Sequence, residues 1–238
     1  MKIDRKSHPV ARRVQKRGQK KKAHYSSAGG AHLMQMESRL ETSGAIAMGL
    51  DPRVHSIRSQ PMTLELVSGR AYSSVEALQH AQKLYGFRCV KYTPDFEAEL
   101  GSTKVLVEVK HRELINQNPK VLGYPSILAR HGYRLIILDD KILADTYVRN
   151  IRLLNNARSV RPRLKAAPTD IVAACGEMSS YGNLLSAGVD EVDLLAALAL
   201  GHLTFDIRGA RLNHNTVISA AGDTAAHLKE LPFVSIRH

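Results

Sequence analysis

The sequence predicts an α/β protein: a mixed sheet flanked by helices, followed by a smaller C-terminal module of helices and a short hairpin. Three strand-like runs, FRCVKYTPDFEAEL, VLVEVK and YRLIILDD, lie between stretches of helical character. ELINQNPKVLGYPSILARHG separates the last two and is long enough for a helical crossover. After RPRLKAAPTD the chain turns Ala/Leu-rich with few aromatics. These shifts divide the sequence into a basic, disordered tail over 1–30, an α/β domain over 31–165 and a C-terminal domain over 166–238.

The elements follow in order. AHLMQMESRLETSGAIAMGL sets Leu33, Met36, Leu40 and Ile46/Ala47 at helical spacing, interrupted by Gly44. Glu37 and Glu41, four apart, share a face of that helix. Asp51-Pro52 ends it in a turn. VHSIRSQPMTLEL reads as two extended pieces around Pro61, and YSSVEALQHAQKLYG as a helix or a loop. FRCVKYTPDFEAEL carries Pro94, so it is bent there or lies at an edge. VLVEVK alternates, and YRLIILDD is apolar enough for a strand covered on both faces. ELINQNPKVLGYPSILARHG and KILADTYVRNIRLLNNAR are expected helices, with Pro119 and Pro125 obscuring the start of the first. EVDLLAALALGHL opens on acids and closes near Gly201, as a helix does. LTFDIRGARLNHNTVISA reads as two short strands around Arg208-Gly209, and helices followed by such a hairpin suggest a winged-helix type of module.

Composition narrows the function. No apolar run approaches the ~18–20 residues of a membrane span, and no apolar stretch follows the basic N-terminus as a secretory signal requires. Two distant cysteines, Cys89 and Cys175, fit a reducing cytoplasm. Eleven histidines form no H-x-x-x-H or Cys/His cluster, which argues against zinc. The net charge of +12 is mostly local: residues 1–22 hold ten Lys/Arg and one acid, the other 216 residues 24 basic and 21 acidic. A block with Arg12, Arg13, Lys16, Arg17, Lys20, Lys21 and Lys22 suits the neutralisation of nucleic-acid phosphates. A second basic cluster, VRNIRLLNNARSVRPRLK, contains Arg149, Arg152, Arg158, Arg161, Arg163 and Lys165 with no acid among them.

The stretch YTPDFEAELGSTKVLVEVK carries the candidate chemistry. Residues two apart share a face of a strand, so Glu108 and Lys110 point the same way. Asp95 lies at the bend of the preceding strand, and the turn can bring it near Glu108. Two carboxylates offering oxygens at ~2.0–2.1 Å suit Mg²⁺, with Mn²⁺ able to substitute. Such an ion neutralises a scissile phosphate and lowers the pKa of a water. A neighbouring lysine orients that water or stabilises the charge that develops on phosphorus. A third carboxylate from a packed helix, Glu41 or Glu37, would complete the set. The same pattern also describes a solvated sheet face with cross-strand ion pairs. His111 is expected to point away from Lys110, and Glu97 and Glu99 to be exposed partners.

The order SRLE, IRSQP, YTPDF, VEVK resembles the TnsA-type transposon-end endonucleases, a branch of the PD-(D/E)xK, restriction-endonuclease-like superfamily. ESRLETSGAIAMGLDPRVHSIRSQP is similar to that family's helix with the first acid, turn and extended R-x-Q piece, and YVRNIRLLNNAR to its N-I-x-x-L segment; together the motifs cover residues 33 to 158. The resemblance implies a restriction-endonuclease-like fold with Glu41 as first catalytic acid, Asp95 as central metal ligand, and Glu108 and Lys110 as the E-x-K pair. Val109 would lend its carbonyl to the metal. Arg58 and Gln60 match the extended segment and are candidate phosphate contacts, as are Arg149, Arg152 and the basic tail. The resemblance further implies a bacterial, nucleoid-associated subunit that cuts the 5′ ends of a mobile element beside an RNase H-like transposase subunit and an ATPase regulator. Two other readings stand beside this one: a stand-alone nuclease of the same fold, serving repair, restriction or junction resolution, and a non-catalytic DNA-binding adaptor.

Overall fold

The computed structural model describes residues 11, 24–26, 33–158, 165–222 and 225–233. They form two compact units. The first takes in the described residues through Ala45 together with Val54–Lys141, and the second Ile46–Arg53 with the described residues from Ile142 onward. The break therefore falls well before the expected boundary at 165. The cause is packing: helix α5 (Asp145–Arg158) buries Tyr147, Ile151 and Leu154 and packs against α8 (Glu191–Ala199) of the C-terminal part.

A four-stranded sheet organises the first unit, in the order β3 (Ser56–Ser59), β7 (Phe96–Leu100), β8 (Thr103–Val109), β9 (Leu135–Leu138). β3, β7 and β8 are antiparallel neighbours, and β9 runs parallel to β8. The β7–β8 turn is the residue pair Gly101-Ser102, with Gly101 at φ +62°, a left-handed position that suits glycine. The crossover to β9 is helical, as expected, but in three pieces. α3 (Arg112–Gln117), a 3₁₀ turn (Pro119–Gly123) and α4 (Tyr124–Ala129) follow one another because each proline restarts a helix at its first turn. β9 is an edge strand with Ile136 and Ile137 half-buried, not a strand covered on both faces.

A second, three-stranded sheet has the order β5 (Ala71–Tyr72), β4 (Thr63–Glu65), β6 (Lys91–Tyr92). FRCVKYTPDFEAEL is thus broken at Pro94, its halves serving different sheets. Leu64 and Tyr92 of the small sheet pack with Leu106 of β8, Leu135 of β9 and Leu128 of α4. Phe96, Ala98, Val105 and Val107 are buried on the opposite face of the large sheet. Helix α2 (Val75–Tyr85) starts at Ser74, whose side chain accepts from the Ala77 N–H, and stops at the left-handed Gly86.

Three expectations change near the N-terminus. Met34–Met36 is a strand, β2, which buries Met34 and Met36 on alternate positions. Helix α1 (Arg39–Leu50) then runs through Gly44 without interruption, since the buried Ala45 and Ala47 that follow it favour the helix. The segment expected to be a disordered tail has partners where it is described. β1 (His24–Ser26) pairs antiparallel with β2. Ala11 is buried, its N–H donating to the Gln60 carbonyl and its own carbonyl accepting from the Val75 N–H.

The second unit runs α5, α6 (Pro168–Cys175), β10 (Met178–Ser180), α7 (Tyr181–Ser186), α8, β11 (Leu203–Thr204), β12 (Val217–Ala220). Its three strands are antiparallel in the order β10-β12-β11, so the expected hairpin has a third strand. Asn150 of α5 donates to the carbonyls of Ile207 and Ala210 and accepts from the Leu212 N–H, fixing the β11–β12 loop. Among the described residues, no helix is long and apolar enough to cross a membrane.

Candidate active site

The site grows from the end of the β7–β8 ladder. The register pairs Phe96 with Val107, so one step further Asp95 stands across from Glu108. Pro94 stops the strand there, and the Asp95 side chain takes over from the ladder: its Oδ2 accepts from the Val109 N–H at 2.8 Å. The Asp95 carbonyl accepts from the Gln60 N–H, so both ends of the residue are tied to neighbouring strands.

Glu108 and Lys110 leave the same face of β8, as alternation requires, with Nζ 3.6 Å from Oε1. Lys110, just past the end of β8, keeps the strand's alternation because the parallel partner holds it: its N–H donates to the Leu138 carbonyl. The buried Tyr92 hydroxyl donates to Glu108 Oε2 at 2.8 Å. Burial, then the negative charge of Glu108, push the Tyr92 pKa well above that of an ordinary phenol, so this hydroxyl stays protonated and donates.

Glu41 enters from α1. Ser38 and Glu41 clasp the start of that helix: the Glu41 N–H donates to Ser38 Oγ, whose hydroxyl donates back to Glu41 Oε1 at 2.8 Å. Glu41 Oε2 accepts from the Glu37 N–H, also at 2.8 Å. Glu37 is braced in turn by the Gln60 amide, at 3.3 Å. This capping arrangement fixes the Glu41 carboxylate rigidly.

Glu41, Asp95, Glu108, Val109 and Lys110 all line one cleft of about 860 Å³, with Glu37 and His111 on its wall. Among the described residues, no group of three or more His, Cys, Asp or Glu side chains forms a ready cage for a metal ion. Mg²⁺ does not require one, because it retains waters and binds through one or two carboxylates. Asp95 and Glu108, each with one oxygen oriented by a protein donor, suit that demand.

Other residues depart from expectation. His111 lines the same cleft, because β8 ends at Val109 and the chain turns into α3; its Nδ1 lies 3.8 Å from Asp140 Oδ1. Glu97 is buried, held between Arg58 (3.4 Å) and Lys104 (3.6 Å). Arg58 itself is exposed on β3. Gln60 is 3% exposed and turned into the protein, with a backbone φ of +43° and a buried Oε1 that has no partner among the described residues. That placement makes it a brace of Asp95 and Glu37 and not a phosphate contact. In the second unit Arg149 bonds Asp145 one helical turn away at 2.6 Å, and Arg152 is exposed. Arg12, Arg13, Lys16, Arg17, Lys20, Lys21, Lys22, Arg161 and Arg163 lie outside the described residues.

Sequence reasoning missed Tyr92, Lys91 and the wall formed by Val75, Glu76 and Gln79 of α2. Tyr92 sits three residues before Asp95, inside the same quoted motif, but nothing local shows that it belongs to another sheet. No protein-family model and no curated protein matches the chain.

Proposed function

We propose that the chain is a Mg²⁺-dependent DNA endonuclease, acting as the subunit of a heteromeric transposase that hydrolyses phosphodiesters at the 5′ ends of a mobile element. The observation that carries this reading is the convergence of Asp95, Glu108 and Lys110 on one cleft that Glu41 also lines. Bound there, Mg²⁺ or Mn²⁺ would supply charge neutralisation of the scissile phosphate and acidification of a water. Asp95 and Glu108 would hold the ion, with the Val109 carbonyl and Glu41 completing its surroundings. Lys110, 3.6 Å from Glu108, is placed to orient a nucleophilic water or to meet charge developing on a phosphoryl oxygen.

Topology supports the same reading. An antiparallel trio followed by a helical crossover to a parallel strand is the arrangement expected of a restriction-endonuclease-like core. Helix, strand, two helices and two strands, with the last strand central, is the order of a winged helix. Bacterial cytoplasm, transposon-end DNA, an RNase H-like transposase subunit and an ATPase regulator complete the proposal and rest on the sequence resemblance.

The test is Mg²⁺- or Mn²⁺-dependent nicking of DNA carrying candidate element ends, by wild type and Asp95→Ala, with and without the transposase and ATPase encoded beside the gene. Cutting that needs the partners and disappears in Asp95→Ala is the expected result. Cutting without partners, abolished by the same substitution, would make it a stand-alone nuclease. DNA binding with no cutting in any mixture would leave the adaptor reading.

A further inference from the structure

Tyr92 joins the three-stranded and four-stranded sheets of the first unit inside the cleft. Its backbone belongs to β6, paired with Leu64 of β4, while its hydroxyl reaches Glu108 of β8. The ring has no freedom to swing. It is packed in the cluster of Leu64, Leu106 and Leu128, with Tyr124 stacked at a tilt 4.8 Å away between centroids. The hydroxyl oxygen is therefore a fixed point, and the 2.8 Å bond to Oε2 fixes the plane of a flexible carboxylate. Asp95 is treated alike, with Oδ2 held by the Val109 N–H.

We propose that Tyr92 is a positioning residue that holds Glu108 as a one-oxygen ligand, and so makes the site favour Mg²⁺ or Mn²⁺ over Ca²⁺. The inference rests on the metal-binding reading of the cleft. Ca²⁺ takes six to eight oxygens at ~2.3–2.6 Å and commonly chelates both oxygens of a carboxylate; Mg²⁺ takes six at ~2.0–2.1 Å, few of them from protein. A carboxylate with one oxygen committed to a rigid phenol resists the rotation that two-oxygen chelation of a larger ion needs. Removing the hydroxyl and keeping the ring releases that rotation while leaving the apolar cluster filled.

The experiment is Mn²⁺ binding to the full chain, followed by the electron paramagnetic resonance of free Mn²⁺, with Ca²⁺ as competitor. The proteins are wild type, Tyr92→Phe, Glu108→Ala and the double variant, each checked for an unchanged thermal transition. Tyr92→Phe should weaken Mn²⁺ about 10-fold, in the range for loss of a partner that orients a metal ligand. Ca²⁺ affinity should hold or rise, so that the Mn²⁺/Ca²⁺ preference falls about 10-fold or more. In the Glu108→Ala background the added Tyr92→Phe should change neither affinity, because the hydroxyl then has nothing to position. Wild-type affinities in Tyr92→Phe, with Mn²⁺ binding weakened in Glu108→Ala, would overturn this inference alone. An equal Tyr92→Phe effect without Glu108 would overturn it too. Unchanged Mn²⁺ binding in Glu108→Ala would overturn both it and the metal reading.

Discussion

At the scale of single residues, the first unit relies on carboxylates as backbone acceptors, and the cleft is one instance of several. Glu65 is the clearest outside it. Only 2% exposed, it accepts from the N–H groups of Val67, Ser68 and Val90 and so ties the β4–β5 turn to the segment that leads into β6 and Tyr92. Burial works to raise its pKa, but the backbone bonds from Ser68, Val67 and Val90 and the Ser68 hydroxyl outweigh it and hold the carboxyl below the ordinary range. A folded-state pKa below the unfolded one means stability that is present above about pH 4.3, the unfolded value. It is lost as pH falls through the lower folded value. Glu65→Gln sets an amide NH₂ against one of these donors and should cost about 1–3 kcal/mol at pH 7 by urea unfolding. The gap between variant and wild type should narrow as the pH is taken below about 4. A gap independent of pH would show that shape, and not charge, makes the residue necessary. None of this was legible in MTLELVSGRAY, where Glu65 reads as the polar position of an alternating strand. The donors that claim it come partly from Val90, 25 residues away.

At the scale of elements, legibility followed how local the deciding force was. Helix α2, open between helix and loop in the sequence, carries its deciding signals locally: its cap, Ser74, and its stop, Gly86, are adjacent to what they terminate. Met34–Met36 is a strand although Leu33, Met36 and Leu40 fit helical spacing, because β1 decides the matter from outside the window. The face of Glu108 and Lys110 was fixed by alternation alone and is as expected. The depth of Glu97 was not, since it depends on Arg58 from another strand. The β7–β8 hairpin, which sets the Asp95–Glu108 juxtaposition, turns on Gly101. A Cβ there would meet nothing within 4 Å, so any effect of Gly101→Ala is purely conformational. With φ at +62°, the left-handed cost predicts a loss of about 1–2 kcal/mol. Metal-dependent nicking by the folded fraction should survive. A loss of activity with unchanged stability would mean instead that the turn contacts DNA.

At the scale of the whole molecule, charge and chemistry are segregated. The cleft is lined by five acidic residues, Glu37, Glu41, Glu76, Asp95 and Glu108, against the cations Lys91 and Lys110. A polyanion drawn to such a cleft needs positive charge from elsewhere, and residues 1–22 carry ten Lys/Arg against one acid. Ala11 lies within that block, and its backbone bonds to Gln60 and Val75 secure it to the unit that holds the cleft. Deleting the whole block would remove this attachment along with the charge, so the informative variant keeps Ala11 and replaces Lys16, Arg17, Lys20, Lys21 and Lys22 with Gln. Each phosphate neutralised contributes about 0.9 to the slope of log affinity against log salt on duplex DNA. If all five cations contact phosphate, the slope should become shallower by about 4 to 5, with weaker binding at low salt and little difference at high salt. The measurement is a fluorescence-anisotropy titration of duplex DNA across a salt series, repeated on an unrelated sequence. An equal change on both sequences is expected, because phosphate contacts carry no sequence information. A slope that does not move would show that these five residues leave phosphate alone, and Arg58, Arg149, Arg152 and the rest of the block would have to account for the affinity.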